Sequence, residues 1–588
     1  MMAETATMPE PSCSPTPTAS GKTRRFADFE TIGAALDYAA TGACGLNFFD
    51  ARAANPRVES YADLAASARR DALRLIALGV SPGDRIALIA ETSPEFARAF
   101  FAAIYAGALP VPLPLPTSFG GRDGYVDQIR NQLTSCDPVL AVSPSDLTKF
   151  VAEAAASMSV QVHGWDSFAR LHAPAATLPD AGADDIAYLQ YSSGSTRFPH
   201  GVEVTHRALL ANLNGHAIGV DLKLTDRVIS WLPFYHDMGL VGCLLSPVAN
   251  QVSADYLATE DFARRPLSWL TLVTRNEGTT LSYSPSFGYD ICTRRISSQT
   301  RTQDRFDLSR WRIAGNGADM IRPSVMEQFA ETFAPAGFDP HAFLPSYGLA
   351  EATLAVTMTK PGSGIEVDEI DERLLAGTGA AANGAVAGEA RTRRLVNCGY
   401  PLPHMEVEIR GTRGEVLADR QIGKVFTRGP SIMTGYFRDP EATAACLDDG
   451  WLDTGDMGYL KAGAVYIVGR AKDMIIVNGK NHWPQDIEWG VEQLPGFKSG
   501  DIAAFAITTP EGEESPAVLV QCRTSDPAER ARLVDEIKAK IKAMTGMSCV
   551  VELVPPRTLP RTSSGKLSRS KARALYLSGE IQPLAVAA

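Results

Sequence analysis

Apolar residues recur at helical spacing through VESYADLAASARRDALRLIALGV (58–80), and SPGDRIALIA (81–90) then reads as a turn and a buried strand. The theme repeats at once. Ser93 and Pro94 make a helix start, with Ser at the N-cap and Pro at the first helical position. The most apolar stretch, AFFAAIYAGALPVPLPLP (99–116), is too short in its first part to span a bilayer, and prolines follow. It predicts a buried helix leading into an extended segment. Apolar strands alternating with helices imply parallel sheets covered on both faces, the α/β class.

Near residue 471 the pattern changes. A strand (DIAAFAI, 501–507), a charged turn, a second strand (PAVLVQC) and a helix (PAERARLVDEIKAKIKAM) predict a small α+β unit. The boundary falls in Arg470-Ala471-Lys472-Asp473, giving a large unit over 23–471 and a small one over 472–588. Between Glu351 and Tyr400 the run GTGAAANGAVAGEA has no period and reads as loop.

Composition narrows the function class. The chain has 588 residues, 45% hydrophobic and 21% charged, which suits two to four ordinary globular domains. A net charge of −11 argues against a general nucleic-acid binder, which would present a basic face. Nine cysteines without a CxxC pair indicate a reducing compartment, and the absence of HExxH or a Cys/His cluster argues against zinc. The first 22 residues are rich in Pro, Ser and Thr and read as a disordered leader, lacking the basic start and apolar core of a signal peptide. A cytoplasmic chain without a transmembrane segment is expected.

Candidate chemistry begins at YSSGSTRFPHGV (191–202), directly after the strand-like IAYLQ. Small residues and successive backbone N–H groups can form an anion-binding nest. It is not a Walker A loop, because GxxxxGK[ST] is missing. Alone it could be a solvated linker. It is followed in order by FYHDMGL (234–240), SYGLAEAT (346–353), WLDTGDMGYL (451–460), IVGRAKDMI (467–475) and PRTSSGKLSR (560–569).

Together these motifs resemble the core motifs of the adenylate-forming superfamily, over nearly the whole chain from about residue 25. The finer resemblance is to the fatty acyl-AMP ligases. SGSTR carries Arg197 where the wider superfamily usually has Gly, and IIVNGKNHWPQDIE (475–488) resembles the ligase pattern rather than that of CoA ligases. The resemblance implies a large N-terminal domain of two similar layered α/β subdomains plus a distorted β-barrel, and a small mobile α+β C-terminal domain. A ligase-type insertion is expected within 360–395.

The implied reaction is attack of a fatty carboxylate on the α-phosphate of ATP, followed by acyl transfer to the phosphopantetheine of a separate acyl carrier protein or the carrier domain of a polyketide or peptide synthase. Positioning and charge neutralisation carry such chemistry. By resemblance, Ser192, Ser193, Gly194, Ser195, Thr196 and Arg197 would cradle phosphates. Glu351, with Thr196, would hold Mg²⁺, which needs few protein carboxylates. Tyr347 and Gly348 would pack on the adenine, with Asn316, Gly317 and Ala318 at its other edge. Asp456 would accept from the ribose hydroxyls, supported by Arg470. Lys566 would bridge carboxylate and α-phosphate, Lys472 would be the hinge, and His236 would stand at the mouth of the acyl pocket. LSYSPSFGYDIC (281–292) would supply pocket wall or ordinary core. His200 stands where many relatives have Lys, and Arg197 would restore the cation.

Three other readings exist. An acyl-CoA synthetase would make the same adenylate and transfer to CoA. Ser563-Ser564-Gly565-Lys566 matches SxxK of penicillin-binding enzymes, but the element order is reversed and SDN is missing. An inactive scaffold is disfavoured by the retention of Glu351, Asp456 and Lys566.

Overall fold

The computed structural model describes residues 23–116, 121–191, 200–296, 301–371, 381, 392–477, 480–498, 500–508, 514–562 and 566–586. The leader and the GTGAAANGAVAGEA run, apart from Ala381, lie outside these residues.

Two parallel sheets form the larger part, and they differ in size. The nine-stranded sheet runs Tyr400–Pro401, Ala355–Met358, Phe343–Gly348, Trp311–Asn316, Thr279–Ser284, Asp226–Ser230, Ser253–Leu257, Gly45–Phe49 and Arg57–Ser60. Its six central strands are parallel, and antiparallel strands extend both edges. The smaller sheet is fully parallel, in the order Leu109–Leu113, Arg85–Ile89, Leu140–Ser143 and Gln161–Gly164. Leu109–Leu113 carries Pro110 and Pro112, which cannot donate to a ladder, and it occupies the edge.

The local signals explain the elements. Helix Tyr61–Ala77 begins where Ser60 accepts from the Asp63 N–H, a cap worth about 1 kcal/mol. Residues 58–60, inside the helical-looking pattern, pair instead with Gly45–Asn47. Helix Pro94–Tyr105 is capped by Ser93 and buries most of its length, which is why its composition looked membrane-like. Among the described residues no helix is long and apolar enough to cross a membrane. Under the large sheet lies an aromatic core: Trp231 stacks on Phe262 at 3.8 Å, and Trp269 meets Trp311 edge-on at 5.0 Å.

An antiparallel sheet of five strands (Glu406–Arg410, Gly423–Arg428, Leu447–Asp448, Trp451–Lys461, Ala464–Arg470) follows. The short helical turn Ala471–Asp473 then leads into the hairpin Ile475–Val477/Lys480–His482, the helix Pro484–Glu492 and a three-stranded sheet packed on helix Pro527–Thr545. That last set has its own apolar core, built on Ile487, Ile502, Val518, Ile537 and Leu553.

Candidate active site

Strands of the large sheet end beneath one cavity. Lys566, Arg470, Glu351, Tyr347, Gly348, Ala318 and His236 all line it. Residues from four of the motifs, separated by more than three hundred positions, are thereby brought together, as expected for a site at the carboxyl ends of parallel strands.

Phe343–Gly348 delivers Tyr347, whose hydroxyl donates to Asp456 Oδ2 at 2.8 Å. Arg470 Nε lies 3.3 Å from the other oxygen of the same carboxylate. Asp456 and Arg470 face each other across paired strands, so register alone sets this contact. Burial pushes the Asp456 carboxyl up, against the pull of Arg470 and the Tyr347 hydroxyl. A buried acceptor held between a phenol and a guanidinium is suited to a diol.

The chain next turns sharply. A Cβ at Gly348 would come within 1.8 Å of the Leu354 carbonyl oxygen, so only glycine fits. Thr353 adopts φ +68°, rare for a β-branched residue, and its hydroxyl donates to the Ser431 carbonyl at 2.7 Å. Asn212 donates to the Ala352 and Ala355 carbonyls from the other side. This clamped turn presents Glu351. Tyr436 donates to Glu351 Oε1 at 2.9 Å, and burial raises the carboxyl's pKa. Glu351 and Asp237 are carboxylates that line the cavity. A single acid fits Mg²⁺, which retains phosphate oxygens and water. Among the described residues no group of three or more metal-ligating side chains exists.

FYHDMGL ends in a π-helix, Met238–Leu245, a rare form that recurs at functional sites. His236 Nδ1 and Asp237 Oδ1 are 2.6 Å apart. Burial would raise Asp237, but His236, Lys566 and the Met238 N–H together hold it below the usual range.

Lys566 arrives from the C-terminal part. Its ammonium donates to the Ala318 carbonyl, and its backbone is pinned by Thr562. Burial lowers its pKa, opposed by Asp319 and Asp237. Lysine shifts readily when desolvated, and an incoming anion would restore its charge. The docking is braced. Arg322 pairs with Glu492 at 2.7 Å and lies over Trp489, while Arg393 sits 3.0 Å from Asp486. Within the C-terminal part, Arg569 grips Glu488 with two hydrogen bonds and lies 3.4 Å from Asp473, in the turn that holds Lys472.

Other expected residues sit elsewhere. Ser192, Ser193, Gly194, Ser195, Thr196 and Arg197 lie outside the described residues. The Asn316 side chain reaches Met326 and Ser286, and of Asn316, Gly317 and Ala318 only Ala318 lines the cavity. His200 pairs with Asp439 at 3.0 Å and packs on Tyr436. Of 281–292, Tyr283 lines the cavity and Tyr289 joins the core. The reading of the sequence missed Asp237, although it stands within a quoted motif. It missed Tyr436 and Asn212 too, which carry no local signature.

The description "AMP-binding enzyme" fits residues 47–437. A Caulobacter vibrioides protein named as an acyl-CoA synthetase is 47% identical over 96% of this chain and 98% of its own. JamA of Moorena producens, a medium-chain fatty acid–acyl-carrier-protein ligase, is 32% identical over 89% of this chain and 90% of its own. A structure from studies of fatty acyl-adenylate ligases of E. coli and L. pneumophila superposes with TM-score 0.90 at 44% identity, covering 95% of this chain and 99% of that one. The chain belongs to the AMP-binding, adenylate-forming enzyme family, with the fatty acyl-AMP ligases among its relatives.

Proposed function

We propose that the protein activates a fatty acid with ATP to the acyl-adenylate and hands the acyl group to a separate acyl carrier protein. The observation that carries this is the Lys566 ammonium seated at Ala318 in the cavity that Glu351, Arg470 and His236 share.

The attack joins two anions, so its barrier is largely electrostatic. Asp456, braced by Arg470 and Tyr347, holds the ribose. Lys566 would touch both the fatty carboxylate and the α-phosphate, offsetting repulsion and fixing the in-line approach. A carboxylate oxygen bonds to phosphorus as the bond to pyrophosphate breaks. Glu351 and, by the resemblance, Thr196 would hold Mg²⁺, which would supply positive charge to offset that of the leaving pyrophosphate. Tyr436 orients Glu351.

The carrier-protein acceptor is supported by the ligase pattern in 475–488 and by the JamA likeness. The Caulobacter relative's name favours a second reading, transfer to CoA. Incubating enzyme, ATP and fatty acid with either CoA or a holo carrier protein separates them. Acyl-carrier product supports the proposal; efficient acyl-CoA formation overturns it.

A further inference from the structure

Two buried polar side chains with no part in the adenylation account also line the cavity. Tyr283 Oη and His216 Nε2 are 2.7 Å apart, and both residues line the cavity with Gly242, Leu354 and Met358. Tyr283 is registered opposite Gly315, three residues before the Ala318 carbonyl that holds Lys566. Gly315 is the penultimate residue of strand Trp311–Asn316, so Tyr283 stands on the sheet side of the turn that carries Ala318.

The floor is built into the backbone. A Cβ at Gly315 would lie 2.0 Å from the Tyr283 ring, and one at Gly219 would lie 2.5 Å from Met358 Sδ. Glycine at these two positions lets the tyrosine and methionine close the cavity. Complete burial keeps His216 neutral, its pKa pushed down to about 4. Its Nδ1 faces Ser246 Oγ at 3.5 Å. In one tautomer Tyr283 donates to His216 and its oxygen can still accept. In the other, His216 donates to Tyr283 and the phenol proton is left to give. Either way one hydrogen bond from Tyr283 remains for the cavity, whose other walls here are apolar.

We infer that the Tyr283–His216 pair selects a fatty acid bearing a hydroxyl at its distal end. A hydroxyl both donates and accepts, so it satisfies either tautomer, whereas a methyl terminus leaves the phenol's bonding capacity unused in a desolvated site. The inference rests on the fatty-acid reading above.

The test is pyrophosphate release with chain-length-matched fatty acids, with and without a distal hydroxyl, for the wild type and Tyr283→Phe. At the fitting length the hydroxyl raises kcat/KM about fivefold in the wild type, the scale of one neutral hydrogen bond, and Tyr283→Phe brings the ratio to about one. No hydroxyl preference at any length overturns the inference without any variant being needed. So does a preference that survives in Tyr283→Phe. Absence of turnover with every acid, hydroxylated or plain, is a different signature and overturns the fatty-acid reading with it.

Discussion

Tyr436 touches Glu351 and no other named site carboxylate, so its removal isolates orientation from charge. Tyr436→Phe is expected to raise the KM for magnesium–ATP about tenfold while the fold is kept, since partners of metal ligands commonly carry that much. An unchanged KM measured by pyrophosphate exchange would remove Tyr436 from the account. Asp456→Asn should weaken ATP use by a similar factor, because a neutral amide offers one acceptor where the carboxylate offers two. Lys566, Glu351 and Asp456 were singled out in the sequence by the motifs that carry them, and the structure sets Lys566 and Glu351 on one cavity and Asp456 against Tyr347 of the Glu351 motif. Tyr436 and Asn212 were not, because their roles come from partners tens to hundreds of positions away; Tyr283 fell within the 281–292 pocket-wall expectation, but its pairing with His216 did not show. Asn316 was expected at the nucleotide, yet its side chain turns into the core. Strand alternation sends successive residues to opposite faces, and the motif does not say which.

Helix Pro484–Glu492 is the element that seats the tail against the large part. Its Glu492 and Asp486 meet Arg322 and Arg393, both from before the turn at Ala471–Asp473. The Arg322–Glu492 pair is mostly buried, so removing one partner strands the other. In a double-mutant cycle with Arg322→Ala and Glu492→Ala, the adenylation rate should show a coupling of about 1–2 kcal/mol. Strict additivity would show that the pair does not hold the helix in place during the reaction. At this scale the elements were largely readable. The Ser93-Pro94 start, the extended proline-bearing segment and the strand–strand–helix pattern after 500 appear where the sequence reading set them. The π-helix was not, since Met238–Leu245 is apolar all round and offers no period to distinguish it.

Across the molecule, two buried histidines couple stability to pH. His206 and His216 are held neutral by burial, each with its pKa pushed down to about 4 from 6.5. A depressed folded-state value means the contribution is present above pH 6.5 and is lost as pH falls toward 4. Each histidine accounts for on the order of 3 kcal/mol over that window. His206 Nδ1 accepts from the Ile32 N–H, and Asn can replace that acceptor. His206→Asn should therefore flatten the fall of melting temperature between pH 6.5 and 4; an unchanged slope would contradict this. The whole-molecule claim is that the tail's lysine completes a site built on the large sheet. Single-turnover formation of acyl-adenylate by Lys566→Ala tests it most directly. The account predicts a fall of at least ~100-fold with the melting profile retained, the scale of losing a principal electrostatic group; acyl-adenylate accumulating at the wild-type rate would contradict it.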